Sequence, residues 1–463
     1  MKPTNTLGIL REVKSKWERR VAITPSQVQL LVSKGIRVLV QPCERRVFKD
    51  VEFKEAGAIL TDDLSPANCI VGVKEFPAHK LIDDHSYMMF SHVIKAQPYN
   101  MPFLDTCLQK NIRLFDYECI RDPRNSKRLV AFGRFAGLAG MITGFRGLGE
   151  HLLAMGATTP FLYSASSYMY PSLKEAQQDL EYIAEMISKF GLPRKFGPFT
   201  FVFTGAGNVT QGALEIFKLL PHEFVKWEDL PALEKNFDNH KVYGCLLPTS
   251  ALVEPLVKTG EPFSSKHYYQ NPEQYRPVFH ERIAPYTRIL VNGMYWDHTF
   301  PRLLTCEQTA QVKVKYPNSL LSVFDITYDN YRCTFFYDDP LVNDISSNIG
   351  MLDKEKEERV KNLSHLLNKL VCCVVDGNGI LVLGVDALPA ELPREVRACF
   401  FLFYFILSLD SFQFRVLYPF LESLANSDGR LPFAEQTDFH WKFKTRALHV
   451  ITNLQNHFNI FKP

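Results

Sequence analysis

Several polar residues stand where a sheet protein would do chemistry. Lys74 closes the apolar stretch NCIVGVK, His92 closes SYMMFSH, and Lys95 and Gln97 follow His92 closely. Open α/β sheets bind their ligands beyond the carboxyl ends of the strands, so a lysine and a histidine delivered there form a candidate acid/base pair. Arg20, in WERRVAITP, precedes a helix start. Its guanidinium fork suits a carboxylate, and several cations gathered together imply an anionic substrate. Neighbouring cations also depress one another's pKa, which moves Lys74 toward a useful range for proton transfer. Glu118 and Asp325 close further apolar stretches, where a capping or surface role competes with a functional one.

A second kind of chemistry is written in TFVFTGAGNVTQGALEIF. Gly205 and Gly207 come directly after a strand-like run and directly before a helix-like one. Glycines there let the backbone approach a pyrophosphate, and the helix start offers free N–H groups and the positive end of a dipole. The third glycine of GxGxxG is absent: Thr210 holds that place and Gly212 follows. The acid expected about 20 residues further on has two candidates in FVKWE. Glu228 would hold ribose hydroxyls, whereas Lys226 would meet a 2′-phosphate, and both alternatives stand.

These residues need elements to position them. Thr24-Pro25-Ser26 is a helix start, and the helix runs to Gly35. Strands are predicted at Ile36–Pro42, Asn68–Lys74, Ser86–His92 and Ile112–Glu118, then at VYGCLL, TRILVNGMYW and LLSVFDIT. A small-residue helix is predicted over Phe132–Met155, and SLKEAQQDLEYIAEMISKF forms another that stops at Gly191. Continuous apolar strands separated by helices indicate parallel sheets covered on both faces. The fold class is α/β, with two Rossmann-like lobes, parallel sheets and a cleft between them. A substrate-binding lobe over 1–134 would be completed by 326–463, and a dinucleotide-binding lobe would occupy 135–325.

Composition narrows the function. The chain has 463 residues with a net charge of +3 and no dense basic run, so a nucleic-acid partner is not indicated. Ten cysteines lack any CxxC or Cys/His cluster, which points to reduced thiols and no metal centre. The longest apolar run, CFFLFYFIL, is far short of the ~18 residues of a membrane span. No secretory leader or amphipathic presequence opens the chain.

In order along the chain come WERRVAITP, VGVKEFP, FSHVIKAQ, DYE, LVAFGRFAG, FVFTGAGNVTQGA, NGMYWDHTFPRLLT and GVDALPAELPRE. This series resembles the lysine–ketoglutarate reductase region of the alpha-aminoadipic semialdehyde synthases. It is also similar to the lysine-forming saccharopine dehydrogenases, within the alanine dehydrogenase/transhydrogenase fold family. The resemblance implies reductive condensation of L-lysine with 2-oxoglutarate to saccharopine using NADPH, with NADH as the other cofactor. It makes Lys74 and His92 the catalytic pair and gives Arg20, Lys95, Phe132 and Asp325 to substrate. Glu18 and Glu118 would tune charge around Lys74. Gly205, Gly207, Asn208 and Val209 would form the pyrophosphate loop, with Asn292 and Gly293 near the nicotinamide. It further implies a mitochondrial matrix location, with the cytoplasm as the alternative; a homo-oligomer is compatible with the sequence, which does not itself fix the oligomeric state. Two stretches depart from the family: Tyr331–Cys373, with its charged run DKEKEERVKNLSHLLNKL, and 401–415. The rival readings are an NAD-dependent saccharopine or alanine dehydrogenase-like enzyme and a catalytically inactive nucleotide-binding variant.

Overall fold

The computed structural model describes residues 6–15, 18–95, 100–120, 128, 130–257, 262–294, 299–327, 367–369, 380–384, 388–394 and 396. The divergent stretches 331–373 and 401–415 lie outside these, apart from 367–369. The chain divides into two units, Met1–Phe132 with Pro393–Pro463, and Gly133–Leu392.

In the first unit, six short strands form one sheet: β1 (Thr6–Ile9), β2 (Arg37–Val40), β3 (Ile59–Leu60), β4 (Cys69–Lys74), β5 (Ser86–Phe90) and β6 (Arg113–Asp116). Every pairing is parallel and the order is β3-β2-β1-β4-β5-β6. That order reverses between β1 and β4, and such a switch point is where an open sheet leaves a crevice for ligand. β5 is buried along its whole length and β4 up to its last residue, as expected of strands covered on both faces. Helix α1 (Pro25–Ser33) starts at a capping box. The Gln27 N–H donates to Thr24 Oγ1 and the Thr24 N–H returns to Gln27 Oε1, so two end donors are satisfied, and Pro25 has no N–H to satisfy. Val28 and Leu31 on its inner face join Val38, Val40 and Phe53 in the core. α2 (Asp50–Glu55) and α3 (Met101–Gln109) are further helices of this unit.

The strands end earlier than the apolar runs suggest. β5 stops at Phe90, and His92 takes a left-handed φ of 57°. β6 stops at Asp116, whose side chain accepts from the Glu118 N–H and turns the chain into a single 3₁₀ turn.

The second unit opens with α4 (Gly133–Ala154) and α5 (Leu173–Phe190). Its sheet contains β7 (Thr200–Thr204), β8 (His222–Phe224), β9 (Val242–Leu247), β12 (Ile289–Asn292), β13 (Ser322–Asp325), β14 (Leu367–Lys369) and β15 (Ile380–Gly384). β10 (Val253–Pro255) and β11 (Tyr275–Pro277) pair separately as an antiparallel ribbon. The large sheet is parallel, in the order β14-β15-β13-β12-β7-β9-β8. β15 pairs with β13 in register, from Ser322 opposite Leu381 to Asp325 opposite Gly384. Residues 367–369 and 380–384 therefore belong to the second sheet, while Pro393–Pro463, also within the 326–463 expected to complete the first lobe, group with the first unit. Helix α6 (Asn208–Phe217) follows β7 and packs closely on α4. A Cβ on Gly137 would overlap the Val209 carbonyl oxygen and one on Gly212 that of Arg134, so only glycine lets these two backbones meet.

Candidate active site

At the switch point of the first sheet, strand ends bring a charged cluster together. Arg20 and Glu18 are both 4% exposed and form a two-pronged pair, Nε to Oε1 at 2.7 Å and Nη2 to Oε2 at 2.6 Å. Burial pushes the Glu18 carboxyl up, but the Arg20 charge and hydrogen bonds outweigh it, helped by Lys74, and hold it below the usual range. The Arg20 guanidinium lies 5.1 Å from the centre of the Phe132 ring, a cation–π contact. Phe132 packs on Phe90, and the Phe90 ring stacks on His92 at 6.2 Å.

His92 is oriented by Glu118, with Nδ1 2.9 Å from Oε2, so its Nε2 is the nitrogen turned to other partners. The other Glu118 oxygen meets Arg128 Nη1 at 2.8 Å. An imidazole held by a buried carboxylate has its tautomer and its angle set, which is what a proton-transfer group needs. The left-handed backbone of His92 is a strained geometry of the kind that collects at functional sites. Lys74 ends β4 opposite Phe90 and is half-buried. Lys95 ends a 3₁₀ turn, and its side chain lies outside the described residues.

The cluster contains residues that the sequence motifs did not single out. Glu12, just past β1, is buried and accepts main-chain N–H bonds from Val73 and Lys74. Burial and the Glu18 charge push its carboxyl up to about 7. Asp116 accepts from Ser91 Oγ at 2.5 Å and from the Glu118 N–H, and burial raises its carboxyl. Their only signal in sequence is a polar residue set hard against a strand end.

The second unit has its own switch point, between β7 and β12. Gly205 has φ +81°, and a Cβ there would stand 2.9 Å from the Gly293 carbonyl oxygen. Gly207 precedes α6 and has open space where a Cβ would go, which is the room a pyrophosphate needs against a helix start. Asn208 is exposed and Val209 half-buried beside it. Thr210, in place of the third glycine, donates from Oγ1 to the Thr204 carbonyl at 3.1 Å and closes the loop. Gly212 does the close-packing work against α4. The residues present therefore fit a dinucleotide.

Asn292 and Asp325 sit at the ends of β12 and β13, and both are buried. Asn292 Nδ2 donates to Asp325 Oδ1 at 2.8 Å, and Asn292 Oδ1 accepts from Thr204 Oγ1 at 2.6 Å. Asp325 thus ties strand ends together in this structure. Lys226 and Glu228 are exposed and follow β8, the edge strand. β9 lies between β8 and β7, so β8 itself runs two strand spacings, ~9.6 Å, from the strand carrying the glycines. The residues that follow the adjacent strand are Pro248, Thr249 and Ser250. Among the described residues, no group of acids, histidines and cysteines could hold a metal, and no helix is long and apolar enough to cross a membrane.

The Alanine dehydrogenase/PNT, N-terminal domain family matches residues 8–139, which carry the first of these clusters. An alpha-aminoadipic semialdehyde synthase of Arabidopsis thaliana is 38% identical over 85% of this chain and 37% of its own length. The mitochondrial alpha-aminoadipic semialdehyde synthase of Mus musculus is 36% identical over 93% of this chain and 45% of its own length. The chain is homologous to the alpha-aminoadipic semialdehyde synthases. It spans less than half the length of these relatives. A saccharopine dehydrogenase [NAD(+), L-lysine-forming] of Candida glabrata is 28% identical over 46% of this chain and 57% of its own length. The resemblance read from the motifs and the homology found by comparison therefore name the same family.

Proposed function

We propose that this chain is an oxidoreductase of lysine degradation that condenses L-lysine with 2-oxoglutarate and reduces the product to saccharopine. The observation that carries the reading is the cluster of Arg20, Lys74 and His92 with Glu118 at one sheet switch point. Lysine and saccharopine appear in the name of the Candida glabrata relative, and 2-oxoglutarate comes from the motif resemblance. Saccharopine formation joins the ε-amine of lysine to the keto carbon of 2-oxoglutarate, loses the protonated hydroxyl as water to leave a protonated imine, and adds a hydride to its carbon to give the secondary amine. A nicotinamide nucleotide, with NADPH the preferred form, would supply that hydride from the glycine loop of the second unit.

The chain's own groups account for the proton steps. The ε-ammonium must lose a proton before it can attack, and neutral Lys74 or His92 accepts it. The carbinolamine hydroxyl leaves as water, which needs a proton from the other member of the pair. Glu118, held to His92 Nδ1, keeps the imidazole ring oriented while that transfer takes place. Arg20 would orient a substrate carboxylate, and because Glu18 holds its Nε and Nη2, its Nη1 is the donor offered to substrate. Phe132 would pack on the aliphatic part of lysine, while Asp325 and Asn292 would order the strand ends near the nicotinamide. A mitochondrial location accords with the names of the mammalian relatives.

Nucleotide oxidation tests the reading, with L-lysine and 2-oxoglutarate supplied alongside NADPH or NADH. Turnover that needs both substrates, and is lost in Lys74→Ala, is the expected result. Turnover with pyruvate and ammonia instead would make the protein alanine dehydrogenase-like. Nucleotide binding without turnover on either pair would make it an inactive variant.

A further inference from the structure

One buried carboxylate takes no part in that chemistry. Oε1 of Glu12 accepts the main-chain N–H of Val73 at 2.6 Å, and Oε2 accepts that of Lys74 at 3.1 Å. Both donors come from the stretch where β4 loses step with β5. Val71 stands opposite Met88 and Lys74 opposite Phe90, so three residues advance on β4 against two on β5. That is the count of a β-bulge, which bends its strand, frees an N–H from the ladder and re-aims the neighbouring side chain. On the other flank, Leu10 donates to the Val71 carbonyl at 2.9 Å, and the chain past β1 then hands over to Glu12. A buried donor left unpaired is costly, so the bulge needs an acceptor there. Two carboxyl oxygens set on two successive N–H groups meet that need, and above about pH 7, where the group is ionised, the bonds are of the stronger, charge-assisted kind. Charged side chains whose fields reach Glu12 include Glu18, Arg20 and Arg46.

We propose that Glu12 is a positioning residue for Lys74: its carboxylate holds the β4 bulge, and the bulge sets the direction in which the Lys74 side chain leaves the sheet. The kinetic consequence rests on the acid/base role of Lys74 proposed above, whereas the geometric one does not.

Glu12→Gln keeps the shape but sets an amide NH₂ against a main-chain N–H. Glu12→Asp keeps both oxygens on a shorter arm. In the full chain, Glu12→Gln is expected to lower kcat by about tenfold to a hundredfold. KM for lysine and for 2-oxoglutarate should change by less than about twofold, since uniform binding is untouched. The limb of the kcat pH profile that follows Lys74 should move, and Glu12→Asp should recover part of the loss. A second readout needs no turnover: competitive acetylation of lysines followed by peptide mass spectrometry. Acetylation of Lys74 relative to the exposed Lys174 should change by about threefold or more in a folded variant. Unchanged kcat, pH profile and Lys74 labelling in folded Glu12→Gln, with only a lower Tm, would overturn the proposal. A wild-type protein that ignores lysine and 2-oxoglutarate would sink the proposed function, and the acetylation comparison would still decide the role of Glu12. Should Glu12→Gln fail to fold, Glu12→Asp carries the same comparison.

Discussion

Glu12 and Glu18 are buried carboxylates six positions apart, and they titrate in opposite directions. Burial and the nearby Glu18 charge raise Glu12 from 4.5 to about 7. The folded protein keeps that proton while the unfolded chain gives it up, so the group's contribution to stability falls as pH rises from 4.5 to about 7, by up to about 3 kcal/mol. Glu18 works the other way. Burial is overcome by Arg20, its folded value lies below 4.5, and the stability it adds is present above 4.5 and lost as pH falls through that lowered value. Urea unfolding at about pH 5 and about pH 7.5 should therefore show a drop in wild type that Glu12→Gln removes. Equal drops in the two proteins would mean that Glu12 ionises freely in the fold. Removing Glu18 is a harsher change, because it leaves the Arg20 guanidinium buried with its main partner gone. Glu18→Ala should cost about 3–5 kcal/mol in the same measurement. A cost below about 1 kcal/mol would show that Arg20 finds water instead.

Between α4, α6 and the loop after β7, glycines that look alike in sequence have different duties. A Cβ on Gly212 would overlap the Arg134 carbonyl oxygen, a backbone atom that cannot swing aside. Gly212→Ala should therefore part the two helices, destabilise by about 1–3 kcal/mol and weaken nucleotide binding as the loop shifts. Gly207 has φ −80° and nothing within 4 Å of a would-be Cβ. Gly207→Ala should leave Tm nearly unchanged and still lower nucleotide affinity, because its methyl group fills the room left for phosphate. Thermal unfolding with and without nucleotide, on both variants, separates the two effects. A Gly207→Ala protein that binds NADPH as wild type does would remove the pyrophosphate from this loop.

Across the whole molecule, each unit places its polar residues at the switch point of its own parallel sheet, β1/β4 in one and β7/β12 in the other. A nucleotide held at the second should raise Tm by mass action, worth about 2.7 kcal/mol when its concentration is a hundred times Kd. Strand order bears on which nucleotide that is. Because β9 separates β8 from β7, Lys226→Ala tests whether an exposed residue beyond the edge strand reaches a 2′-phosphate. A preference for NADPH over NADH that disappears in Lys226→Ala supports that contact. A preference that survives moves it to the residues after β9, where Thr249 and Ser250 lie.

Local patterns determined much of this protein. The runs CIVGVK, SYMMF and TFVFT are strands because continuous β-branched and aromatic stretches suit a sheet covered on both faces. Thr24-Pro25 and the glycine that follows Thr204 mark element ends because they satisfy or release particular backbone groups. The placing of Lys74 at a strand end was legible for the same reason, since it closes an apolar run, whereas β5 stops two residues before His92. Tertiary structure decided what lies between distant segments. That β9 rather than β8 flanks β7, that β15 extends the second sheet, and that Asp325 is tied to Asn292 follow from pairing choices that the local pattern does not encode. The role of Glu12 belongs to the same class. A bulge exists only when two strands are compared, and a carboxylate is its partner only once the chain past β1 has been laid beside β4.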